Sequence, residues 1–309
     1  MVGSMVAYVL CLPFYALFLY ALWTGRKTDE RLKGGFFTIC LWMGLADFEC
    51  AAHQWLLSRL RMMGLFTDFF ELFDPVASTL SITVAVQMSI SQTVGVLLMA
   101  INRFTAIFFY KKHERIWRKY GFGAILLTQW LVPVLAFDVL FYPFVDVLIF
   151  RVPNSSAMGV AYRDPHTSHV FFGMSLFTVA CSVLMILLYA AMVARVCSRG
   201  ADQLQMVEVK LSISGLVIFL QALLVSYCWL YNSITGDFVS IAALYYFTLD
   251  SLCLINPFVI AALSTPVRQQ ILSILRLNGS QQPATEVVQV AAGTAAHSTK
   301  TQQQNMHTR

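Results

Sequence analysis

Charge is scarce in this sequence. Asp, Glu, Lys and Arg make up 12% of its 309 residues, against 58% hydrophobic residues and a mean hydropathy of +0.67. Soluble domains carry about 25% charged residues, so a water-solvated globule is excluded and lipid is the solvent that fits. A basic stripe with interleaved aromatics is also missing. The net charge of +5 therefore does not point to nucleic acid, which is not expected as a partner. None of the seven cysteines stands in a CxxC or a Cys/His metal spacing. Most lie in or at the ends of apolar runs, where a thiol behaves as a small apolar residue. No metal, no cofactor and no enzymatic activity are expected. No lysine stands between Lys210 and Lys300, which removes the Schiff-base lysine that a retinal photoreceptor needs in its last span.

What is present is a series of seven apolar runs: Met5–Trp23, Phe36–Leu57, Leu80–Ala106, Phe122–Phe144, Val170–Val193, Leu211–Tyr231 and Val239–Leu263. Each is near the ~20 residues that cross about 30 Å of hydrocarbon. The first has no positive n-region and no A-x-A-like site after it, so it reads as a membrane anchor rather than a signal peptide. Basic residues alternate between loops. Arg26, Lys27, Arg31 and Lys33 follow the first run, Lys111, Lys112, Arg115, Arg118 and Lys119 the third, and Arg195, Arg199 and Lys210 the fifth. The tail carries Arg268, Arg276, Lys300 and Arg309, while the opposite loops hold only Arg59, Arg61, Arg151 and Arg163. The positive-inside rule then predicts an extracellular N-terminus and a cytoplasmic C-terminus in the plasma membrane. Asn154-Ser155-Ser156 is a glycosylation sequon in a loop assigned outside, with Asn154 its acceptor.

Three segments follow: a helical bundle over 1–263, an amphipathic surface helix over 264–278, and a tail over 279–309. In the second, Val267, Ile271, Ile274 and Leu275 form one apolar stripe, Thr265 can cap, and Pro266 suits a first helical turn. The tail is rich in Gln, Thr, Ala and Ser, has no cysteine for a palmitoyl anchor, and is expected to be disordered.

This layout resembles a G-protein-coupled receptor: an all-α membrane protein, a rhodopsin-like bundle of seven transmembrane helices. The resemblance implies roles for particular residues. Arg103, after Asn102 at the inner end of the third run, would engage a heterotrimeric G protein, with Lys111 and Lys112 beyond it. Asn102 stands where such receptors carry an acid. Asp47 resembles the second-helix acid of an internal polar network, and Asn256-Pro257 the Asn-Pro element of the seventh helix, with Ile260 where a Tyr would stand. Pro257 removes a helical hydrogen bond and Asn256 can satisfy freed backbone groups. Ile82, Ala85, Val86 and Ser89 share a face that would line a ligand cavity, bordered by Asp250 and completed by Tyr227, Trp229 and Tyr246. Ionisable residues in spans default to functional hypotheses, so Glu49, His53 and Asp138 are also noted. Glu49 and His53 are i, i+4 and either pair or face a cavity. Ser78 occupies the third-helix cysteine position and Val145–His169 has no cysteine, so the usual outer disulfide cannot form. The sixth run lacks its proline.

Asn102-Arg103-Phe104-Thr105-Ala106-Ile107, then Glu114-Arg115-Ile116-Trp117, resemble the nematode serpentine chemoreceptors of the Srg superfamily, class V or class G. Gly35-Phe36-Phe37, Ala46-Asp47 and the series Asp250, Asn256-Pro257 and Thr265-Pro266-Val267-Arg268 fit the same pattern, which covers roughly residues 5–277. The resemblance implies a chemosensory receptor for a small molecule in sensory-neuron membranes, possible in cilia. The competing class is a seven-span solute transporter built from two three-helix repeats. It would show repeated, proline-broken helices, yet no internal repeat is visible and the second, fifth and sixth runs contain no proline.

Overall fold

The structure, a computed structural model, describes residues 2–73, 76–118, 122–131, 133, 147–151, 158–162, 166–199, 203–235 and 238–275. Among them, six helices are long and apolar enough to cross a membrane. The first is Val2–Thr28. The second starts at Gly35–His53, widens into a π turn over Gln54–Arg59 and closes at Leu60–Met62. The third is Val76–Phe108, the fifth His166–Arg199, the sixth Gln203–Thr235 and the seventh Phe238–Leu263. Of the fourth run, Phe122–Ile125 is helical and Leu126–Leu131 continues as a π turn. Asp138 and the rest of that run lie outside the described residues. So do Asn154 and the tail beyond Leu275.

The chain divides into two units, Met1–Gln270 and Ile271–Arg309. Within the first, the third helix packs on the second, fifth and sixth, and the first packs on the second and seventh. Burial follows that order. About 67% of the third span's apolar window is enclosed, against 28% for the first. The lipid side needs no polar cover, so Leu176, Val183, Ile186, Leu187 and Val193 of the fifth helix are exposed. Close approach inside the bundle relies on glycine. A Cβ on Gly95 would lie 2.9 Å from Gln129 Nε2 and 3.0 Å from Met43 Cγ, so the third helix meets the second and fourth where a side chain is missing.

Several Ser and Thr hydroxyls in the spans bond to their own helices, because lipid offers them no partner. Ser89 donates to the Ala85 carbonyl at 2.8 Å, Thr93 to Ser89 at 2.8 Å and Ser226 to Ala222 at 2.8 Å.

Two features were not expected from the sequence. Val147–Arg151 and Met158–Tyr162 form an antiparallel hairpin, β1 and β2, with Leu148 opposite Ala161. β1 packs on the third helix and β2 on Leu60–Met62. The second correction concerns Arg59 and Arg61. They are not loop residues but buried positions on the second helix, 3% and 6% exposed. The helix runs five residues beyond the apolar run, so charge marked the end of the hydropathy signal and not the end of the span. After the seventh helix, Thr265–Ile274 is helical, with the Ser264 carbonyl accepting from Arg268 N at 3.1 Å.

Candidate functional site

Asp47 lies halfway along the second helix and is 1% exposed. A carboxylate there requires donors, and it has three. Tyr15 of the first helix donates to Oδ2 at 2.7 Å, and Gln92 of the third donates to Oδ1 at 2.8 Å. Asn256 of the seventh also donates to Oδ2. Gln92 Nε2 additionally lies 3.3 Å from Cys253 Sγ. One acid thus joins four helices, and the structure brings Asp47 together with Asn256, next to Pro257 inside the seventh helix. Tyr15 and Gln92 carried no signal in the sequence, since their acceptor stands 32 and 45 residues away on another helix.

A second carboxylate sits nearer the hairpin end. Asp250 Oδ1 accepts from Tyr8 at 2.6 Å, and Oδ2 pairs with Arg59 Nη2 at 2.6 Å. The Arg59 guanidinium lies 4.3 Å from the centre of the Tyr246 ring. Sequence reasoning missed Arg59 and Tyr8 here because the ion pair spans 191 residues of chain. On the other side of Asp250, an apolar crevice of about 420 Å³ opens between the first and seventh helices, lined by Ala7, Cys11, Phe247, Ser251, Leu254 and Phe258.

The residues expected to line a ligand cavity divide. Val86 and Ser89 are buried and Ala85 is half-buried. Ser89 and Trp229 line one small cavity with Gln92, Thr93, Thr178 and Ser226 between the third, fifth, sixth and seventh helices, closed down to about 10 Å³, room for about one water. Trp229 packs edge-on against Tyr245 at 5.5 Å, while Tyr246 sits under Arg59. Tyr227 is 53% exposed. It does not join an aromatic pocket: two residues along a helix turn about 200°, so it faces outward when Trp229 faces in. The side chain of Ile82 lies outside the described residues. Glu49 is exposed while His53 is buried.

At the basic end, Arg103 is 3% exposed. Its Nη2 donates to Asn102 Oδ1 at 2.6 Å, and its guanidinium stacks 4.2 Å from the Phe36 ring centre. A neutral amide, Asn102, thus contacts the arginine directly. Beyond it, Tyr110–Ile116 forms a short helix that presents Lys111 and Lys112 to solvent. The Thr105 hydroxyl fastens this helix. It donates to the Asn102 carbonyl at 2.9 Å, accepts from Trp117 Nε1 at 2.9 Å, and lies 3.0 Å from His113 Nδ1. Gly35 makes room, since a Cβ there would lie 2.8 Å from Trp117 Cβ. A cavity of about 600 Å³ lies beside it, lined by Arg26, Glu30, Lys33, His113, Glu114 and Arg118 among others.

Burial, and then the nearby Arg103 charge, push His113 down from 6.5 to about 4. A neutral folded-state imidazole binds fewer protons than the unfolded one between those values, so stability rises with pH across that window. The docking of Tyr110–Trp117 is expected to be complete above about pH 6.5 and to weaken as pH falls toward about 4. Trp117 fluorescence measured against pH checks this. The step should vanish in His113→Gln, and a step that persists there belongs to another group.

A multi-span helical protein with two buried carboxylate networks and an arginine caged at the basic end of its central helix has the architecture of a serpentine membrane receptor. The family model described as serpentine type 7TM GPCR chemoreceptor Srv matches residues 4–277, and the chain belongs to this family of seven-transmembrane receptors. It is also similar to "Serpentine receptor class V-1" of Caenorhabditis elegans, 25% identical over 270 residues, which cover 84% of this chain and 85% of that protein. The family is a receptor family, and its span places the apolar helices in a lipid bilayer as a multi-pass protein.

Proposed function

We propose that the protein binds a small-molecule chemosensory ligand in the hairpin half of the bundle and signals through a heterotrimeric G protein at the basic end. The observation that carries this reading is the caging of Arg103. The Asn102 amide and the Phe36 ring hold it at the basic end of the third helix, where an arginine can be offered to a partner. Exposed Lys111 and Lys112 stand beside it to meet an acidic partner surface. Asp47, Asn256 and Pro257 form the polar link between the ligand end and that end. Ala85, Val86, Ser89, Trp229, Tyr246 and Asp250 border the ligand site in this reading, and no catalytic role is assigned to any of them. The alternation of basic loops supports an extracellular N-terminus and cytoplasmic C-terminus in the plasma membrane, with Asn154 outside and open to glycosylation.

The test is expression in cultured cells with a chemical panel and a G-protein readout, normalised to surface level. Arg103→Ala is expected to reduce the ligand-evoked response at least about tenfold, within the range of ordinary coupling between sites. A response that is unchanged overturns the role of Arg103. Uptake of a labelled solute without any G-protein response would instead favour a carrier, and a glycan map placing Asn154 in the cytoplasm would reverse the orientation.

A further inference from the structure

Among the described residues, the hairpin end of the bundle holds more buried positive charge than it pairs with carboxylates. Arg59 and Arg61 are 3% and 6% exposed. Asp250 pairs with Arg59 through Oδ2 and takes the Tyr8 hydroxyl on Oδ1, so both its oxygens are engaged. Arg61 has no carboxylate within ion-pair distance among the described residues, and its Nε has no hydrogen-bond partner. An arginine near the end of a span ordinarily extends its long side chain to water or lipid phosphate. Arg61 does not: it is turned inward, near Tyr246, whose ring already lies under Arg59. β2 packs across Leu60–Met62, over the segment that carries it.

A buried guanidinium without a counter-charge is costly, and the usual way to recover that cost is an anion that arrives from outside. We propose that Arg61, beside Tyr246, is the reading group for an anionic ligand, and that the chemical class this protein detects is a small organic acid recognised by its carboxylate. Arg61 supplies a planar pair of N–H donors to the two carboxylate oxygens, a geometry that suits carboxylates better than a point charge does. Arg59 adds positive potential while remaining tied to Asp250. The Tyr246 ring bounds the site with an aromatic wall for the acid's apolar part. This ligand class deepens the receptor reading above and rests on it, whereas the binding site itself does not require signalling.

The experiment therefore measures binding separately from signalling. Full-length receptor is purified into lipid nanodiscs, and its thermal unfolding is followed with the sodium salts of straight-chain C4 to C8 carboxylic acids and of benzoic acid. The matched methyl esters and sodium chloride at equal ionic strength serve as controls. The expected result is a concentration-dependent rise in melting temperature with one or more acids and none with their esters, as for any ligand that binds only the folded state. Arg61→Gln should weaken that binding by roughly ten- to hundredfold, the usual effect of losing one charge-assisted contact. Arg61→Lys should restore part of it. Without acid, Arg61→Gln should melt no lower than wild type, because it removes an uncompensated charge. Acids and esters that shift the wild type equally, no shift with any acid, or an undiminished acid shift in Arg61→Gln would each overturn the proposal. An acid shift that Arg61→Gln abolishes, in a protein that activates no G protein, would leave the anion site standing and sink the signalling reading instead.

Discussion

Asp250→Ala is expected to destabilise the bundle by about 3–5 kcal/mol, the cost of removing one partner from a buried ion pair. The substitution leaves Arg59 buried without its carboxylate, two residues from Arg61, which has no carboxylate partner among the described residues. It also strands the Tyr8 hydroxyl and so cuts the link between the first and seventh helices at the hairpin end. Unfolding in mixed micelles of increasing denaturing detergent measures the loss. A compensating pair separates charge from packing. Arg59→Met combined with Asp250→Leu removes both charges, and replacing a buried pair with apolar side chains of similar size is often neutral. The double variant should recover most of the lost stability. If it is as unstable as Asp250→Ala alone, the ion pair is not the cause.

The second large effect is expected at Asp47. Asp47→Ala removes one acceptor from three donors that arrive on three different helices, Tyr15, Gln92 and Asn256. Interhelical hydrogen bonds in membranes are individually modest, and stranded donors add their own penalty. The sum is expected near 2–4 kcal/mol. Asp47→Asn should lose about half as much, since its amide oxygen still accepts two hydrogen bonds. Local loosening has its own reporter. All seven cysteines are free, and Cys253 is fully buried against Gln92. Its labelling by a thiol reagent should accelerate in Asp47→Ala before the bundle as a whole unfolds. Equal labelling rates in the two proteins would mean that the network does not close this part of the core.

The spans were legible in the sequence because lipid demands long apolar runs and tolerates little else. Asp47, Asn256 and Arg103 were legible for the same reason, as polar residues that an apolar run has no cause to contain unless something pairs with them. The partners were a different matter. Nothing in the sequence marks Tyr8 and Tyr15 until the structure supplies their acceptors. Arg59 and Arg61 were misplaced because hydropathy ends where charge begins, and only the three-dimensional pairing with Asp250 shows that the helix continues. The β1–β2 hairpin was missed because Val147–Arg151 and Met158–Tyr162 lack the apolar-polar alternation of a half-buried strand. Tyr227 and Trp229 were grouped by depth, although their spacing sets them on opposite sides of one helix.

Both carboxylate networks join the beginning of the chain to its end. Tyr8 waits for Asp250, and Asp47 waits for Asn256, across 242 and 209 residues. During synthesis the first two spans enter the membrane long before the seventh is made. Until then Tyr8 and Arg59 lack their acceptor, and Asp47 lacks one of its donors. The last span to be translated is thus the one that completes the pairing of the first. A nascent chain stalled before it would carry unmatched charge into the bilayer, a distinction by which a cell's quality control can tell an unfinished receptor from a finished one.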